Sequence, residues 1–139
     1  MRWGTLSLLM GAILLMAGGV QAHHSHAPFY HLDETVEITG VVKSFRLINP
    51  HPEILLEVTG SDGEPVEVMV YAQAYAGQMR EVGGWTHDSV KIGDTVTAVG
   101  HPGRGSVTSV MGQTLTTPSG DVLNMRFGDL LKPPGPRSQ

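Results

Sequence analysis

Four of the chain's seven histidines, His23, His24, His26 and His31, fall within nine positions directly after an apolar leader. Imidazole nitrogen suits Cu(II), Ni(II) and Zn(II), and affinity among the divalent ions peaks at copper. Position adds to this. If the leader is cut after Ala22, His23 becomes the amino terminus. A free α-amine has a reference pKa of about 7.7–8.0, so near neutrality it gives up its proton readily to a metal. The amine and imidazole of His23 then close a chelate on one ion, and His24 adds its ring and the deprotonated amide between them. His26 and His31 stand close enough in sequence to supplement either arrangement. The chain has no cysteine, which removes the thiolate zinc sites. The rival reading is a solvated histidine-rich terminus that meets metals adventitiously, since chain ends are ordered only when tied down.

A further ligand comes from "INPHPEI", where His51 stands between Pro50 and Pro52. Two prolines stiffen that turn, so less entropy is lost when the imidazole engages a ligand. The candidate metal set is therefore His23, His24 and His51, completed by His26 or His31. The plainer alternative makes His51 a turn residue bonded to its neighbours. His87 and His101 read as loop histidines with surface chemistry only. Trp85, the one tryptophan outside the leader, reads as core covering one end of the domain or as a ligand platform. Ser25 has no partner base, and the pairs Glu53/Glu57 and Glu64/Glu67 fall on solvent faces or turns. Paired carboxylates do acid–base work only in a cleft that separates their pKa values. The expectation is a protein that is not an enzyme.

The leader itself has the signal-peptide pattern: Arg2, an apolar run from Leu6 to Val20, then Val20-Gln21-Ala22 as a small-residue cleavage site. That run is short for a membrane span of roughly 20 apolar residues. An uncleaved anchor is the alternative. Cleavage leaves 117 of 139 residues in the periplasm or outside the cell, with no membrane span. They suffice for one small domain, and without disulfides it must hold together by packing alone. Losing Arg2 lowers Lys+Arg from 9 to 8 against 13 acids, a mature charge of −5 with neutral histidines. A nucleic-acid partner calls for a basic stripe, and none is present.

The elements that must position the histidines read mainly as strands. In "TVEITGVVKSF", Val36, Ile38 and Val42 share one face, with a bulge or bend predicted at Gly40. "EILLEV" turns Ile54, Leu56 and Val58 inward. "SDGE" (61–64) is a turn, and "PVEVMVYA" alternates through Val66, Val68 and Val70. Ala72 to Val82 predicts a short helix stopped at Gly83-Gly84. A strand through Val96 and Ala98 follows the Gly93-Asp94 turn, then two strands flank Pro118-Ser119-Gly120. Three strands, a short helix and two or three more strands predict an all-β fold, a small OB-like β-barrel of five to six strands with one short helix between strands three and four. A small open sandwich is the alternative. The expected organisation is a signal peptide at 1–22, a histidine-rich segment at 23–33, the barrel at 34–127 and a flexible tail at 128–139.

Three motifs, "AHHSH", "TGVVKSFRLINPH" and "GWTHDSVKIGD" followed by "VTAVGHPGRG", together resemble a family of small exported bacterial proteins catalogued as a domain of unknown function. The matching positions are His23, His24, Ser25, Asn49, Pro50, His51, Gly84, Trp85 and Thr86, and the likeness runs from His23 to about Met125. The resemblance implies a compact periplasmic β-barrel and brings no established activity. Two positions depart from the usual pattern. His26 stands where an aromatic is usual after His-His-Ser, which adds a ligand, and Pro52-Glu53 replace a small residue and an aromatic beside His51. The expected function is an exported small binding protein that carries, buffers or delivers a divalent transition metal, copper first. A structural or interaction module, whose barrel binds a periplasmic protein or small organic ligand without metal, is the alternative.

Overall fold

The computed structural model describes residues 25–105 and 108–130. Six strands run in the order β1 (Val36–Arg46), β2 (Glu53–Thr59), β3 (Pro65–Ala72), β4 (Thr95–Pro102), β5 (Ser109–Thr116) and β6 (Val122–Asn124). Helix α1 (Ala76–Glu81) lies between β3 and β4, and a single turn, α2 (Phe127–Leu130), follows β6. Among the described residues no helix is long and apolar enough to cross a membrane.

β1 is the hinge of the barrel. Its first half, Val36–Val41, pairs antiparallel with β4, and Val41–Arg46 pairs with β2 across an irregularity between Val42 and Ser44. Gly40 sits where the partner changes. A Cβ there would come within 2.7 Å of the Glu57 carbonyl oxygen, so the absent side chain lets the strand bend against β2. β2 pairs with β3, β4 with β5, and a parallel pairing of β3 with β5, Met69–Ala72 against Ser109–Gly112, closes five strands into a barrel. β6 is an extra strand on β5 alone. This is the OB-like arrangement expected from the order of elements.

Most of the alternating residues fill the interior, whereas Val66, near the start of β3, is exposed. Val42, Ile54, Leu56, Val70, Val96, Ala98 and Leu115 are buried, and Ala76, Met79, Trp85 and Met125 close one end. Trp85 contacts Phe45 at 5.9 Å between ring centroids, and its indole N–H donates to the Asn124 carbonyl at 2.8 Å. It is core, and the indole's polar atom is satisfied.

Three expectations need correction. The helix starts at Ala76, not Ala72: the Ala72 amide donates to Pro52 O, and the Gln73 and Ala74 amides both donate to Met125 O. Those amides face other segments, so the chain stays extended through them. His101 belongs to β4 rather than a loop. The tail boundary at 128 falls inside α2, whose Leu130 is buried; an apolar residue just past Met125 extends the packed region by one turn.

Candidate functional site

The turn from β1 to β2 carries Asn49, Pro50 and His51, and the Asn49–Pro50 peptide bond is cis. Asn49 Oδ1 accepts the Ala76 amide at 3.2 Å, and Gln78 Oε1 accepts the Tyr75 amide at 3.1 Å. The first turn of α1 has Tyr75 as its cap, which lacks a short polar side chain, so these two side chains satisfy its free donors. The bonds dock the start of α1 on the β1–β2 turn. His51 consequently stacks on Tyr75, with ring centroids 5.8 Å apart and planes 15° from parallel.

The segment before β1 arrives from the other side. Tyr30 bridges to Gly103, the His31 amide donates to Pro102 O, and the Arg104 amide donates to Phe29 O. The Arg104 guanidinium Nε donates to the carbonyls of Ala27 at 2.9 Å and Tyr30 at 3.1 Å. His101 Nδ1 donates to Glu34 O at 2.7 Å, which fixes its tautomer, and its Nε2 accepts from the Gln113 amide at 2.9 Å. The loop after β4 thus clasps residues 27–34 against the barrel. On β3, burial first, then the Glu53 carboxylate and the nearby Tyr30, push the Tyr71 hydroxyl pKa up.

That clasp brings His26 to His51. Their ring centroids lie 6.1 Å apart at 73°, and His26 also meets Tyr30 edge-on at 6.5 Å. A cavity of about 320 Å³ opens between them, lined by Ser25, His26, Phe29, Pro50, His51, Gln73 and Tyr75. Imidazole nitrogens bind transition-metal ions at about 2.0–2.1 Å, and two such rings border this one cavity. His51 Nδ1 is shielded from solvent and has no hydrogen-bond partner, and the same holds for Gln73 Nε2.

Of the five expected ligands, His26 and His51 come together. His31 turns away: its Nδ1 lies 3.4 Å from Glu34, and it groups with Asp33 and Glu34, all ligand atoms within 4.8 Å of one another. Exposed clusters of that kind are common without an ion. His23 and His24 lie outside the described residues, directly before Ser25, which lines the cavity. The aromatic neighbour that Pro52-Glu53 was expected to cost His51 is supplied by Tyr75. Pro52 itself is buried in the core, and Glu53 pairs with Arg46.

Sequence reasoning missed Gln73, Tyr75 and Arg104. Gln73 and Tyr75 fell inside or beside a stretch read as helix, which hid their place opposite the histidine turn. Arg104, in "GHPGRG", gave no signal beyond being the one cation of its loop.

Residues 12–111 match the family of unknown function DUF6152, well over half the chain. The match begins inside the apolar leader and stops within β5, short of the expected end near Met125. No curated protein matches the chain.

Proposed function

Since the chain belongs to DUF6152, a family that carries no assigned activity, we propose from its own geometry that it is an exported small binding protein for a divalent transition metal, copper foremost. The observation that supports this is the meeting of His26 and His51 at one cavity, two imidazoles of the kind that bind such ions. His24 is one residue from Ser25 on the cavity wall, so the two leading histidines are within chain reach of the same ion. With cleavage after Ala22, the His23 amine and imidazole join the set. His31, held against Glu34, is left as an outer residue. No bond of a substrate is made or broken in this reading; the metal is cargo, for carriage, buffering or delivery to a periplasmic partner.

The test is calorimetric titration of the secreted chain with Cu(II), alongside a variant carrying one extra residue before His23. The extension buries the amine in a peptide bond, and Cu(II) affinity is expected to fall at least tenfold, about 1.4 kcal/mol. Equal affinity defeats the terminal-amine part. Absence of Cu(II) binding in both defeats the metal reading.

A second reading has its own observation. A wider groove of about 660 Å³, lined by Asn49, Pro50, Tyr75, Gly77, Gln78 and Glu81, shares Pro50 and Tyr75 with the histidine cavity. It suits a small organic ligand on the barrel's flank, the interior being filled by side chains. Under this reading, changing His23, His24, His26 and His31 together to Ala leaves ligand binding unaltered.

A further inference from the structure

His51 has to present one ring nitrogen to the metal, and the strand register shows what holds the other. β2 and β3 pair with Glu53 opposite Tyr71, and the ladder runs one step further through the Ala72 amide bonded to Pro52 O at 2.9 Å. Beyond that bond the two chains continue to His51 on one side and Gln73 on the other, each one residue past the last bonded pair. Both line the same cavity. Each has a solvent-shielded nitrogen without a hydrogen bond, His51 Nδ1 and Gln73 Nε2, and among the described residues these are the two buried side-chain atoms in that condition. Buried polar atoms are almost always bonded, so two orphans on the wall of one cavity point to a bond made in another state.

The chemistry is complementary. A neutral histidine that binds metal through Nε2 keeps its proton on Nδ1, and that N–H needs an acceptor. The Gln73 amide oxygen is an acceptor, and as placed the amide makes no bond to His51, so rotation of the Gln73 side chain has to carry Oε1 to Nδ1–H. Tyr75 stacks near-parallel to the His51 ring but makes no hydrogen bond to its Nδ1. The Gln73 backbone is itself fixed, its amide bonded to Met125 O at 3.0 Å. We propose that Gln73 is the positioning residue of His51: its amide oxygen accepts Nδ1–H, locks that tautomer and leaves Nε2 for the metal. This rests on the metal reading above, but the tautomer itself does not require a metal.

Nitrogen-15 NMR of the imidazoles in the metal-free mature chain reads the tautomer, with the His51 signals identified by their loss in His51→Ala. The expected result is His51 protonated on Nδ1 in the wild type and a tautomer mixture in Gln73→Leu, with Cu(II) affinity about 10- to 100-fold weaker in that variant. Gln73→Glu, which keeps an acceptor, retains the Nδ1–H tautomer; it also guards against a Leu variant that fails to fold. His51 protonated on Nε2 in the wild type overturns the proposal, as does a Leu variant with unchanged tautomer. A wild type locked on Nδ1 that binds no Cu(II) supports the Gln73–His51 pair and overturns the metal function alone.

Discussion

Two regions carry the chain's most distinctive residue patterns, and they differ in how far their polar groups are satisfied. In the stretch from Gly84 to Asp94 the bonding is closed. Ser89 Oγ accepts the Thr86 amide, Thr86 Oγ1 accepts the Asp88 amide, and Asp94 Oδ2 accepts the Lys91 amide. Gly84 and Gly93 supply positive φ values of 69° and 92° where the chain reverses. Trp85 is sealed in the core with its N–H bonded. Around His51 the reverse holds: two buried nitrogens have no partner, and Phe29 and Tyr75 are largely exposed. A polar group that the fold leaves unsatisfied costs free energy, whereas a closed turn does not. The contrast marks "GWTHDSVKIGD" as closed architecture, and under the proposed metal reading it is "NPH", with the histidines before the first strand, that carries ligand chemistry.

The largest effect tests the architectural side. Trp85→Ala empties one end of the barrel and is expected to lower stability by about 3–5 kcal/mol, measured by urea unfolding. Whatever folded fraction remains should bind Cu(II) as before. His51→Ala sharpens the other side. Copper affinity is expected to weaken at least tenfold, about 1.4 kcal/mol, while stability holds or rises because an unbonded buried nitrogen has been removed. A clear loss of stability with unchanged copper affinity would move His51 to the architectural side and break the comparison. Arg104→Ala loosens the clasp on residues 27–30 without touching the cavity. Its expected cost is a few-fold in copper affinity, below about 1 kcal/mol, and faster amide exchange in the segment before β1. The smallest effect is at His87, exposed in the closed turn: His87→Ala should change stability by less than about 0.5 kcal/mol and copper affinity not at all.

Much of the barrel was legible because its strands alternate. Val36, Ile38 and Val42 on one face, and Ile54, Leu56 and Val58 on the next strand, declare a period of two that survives in the structure. The helix start was not legible. Ala72, Gln73 and Ala74 have helical or neutral propensities, but their amides are taken by Pro52 and Met125, 20 and more residues away in the chain, and such bonds leave no local pattern. Which histidines come together was not legible. Histidine crowding and the proline-flanked turn mark His26 and His51 as ligand types, yet the same reasoning ranked His31 beside them and passed over Gln73. His101 shows the limit plainly. It resembles His51 in sequence, a histidine next to proline, but both its nitrogens are engaged by Glu34 and Gln113.

Side-chain chemistry and strand periodicity were determined by the sequence alone: an acidic, cysteine-free chain, a barrel's order of elements, and histidines gathered before the first strand. The tertiary structure decided which histidines meet. Proximity between His26 and His51 arises because the loop after β4 pins residues 27–34 while β3 pairs back onto β2. The backbone bonds among those contacts are long-range and leave no local mark, because every residue carries the same backbone groups whatever its side chain; the Arg104 and His101 side chains add to them from a distant stretch of sequence.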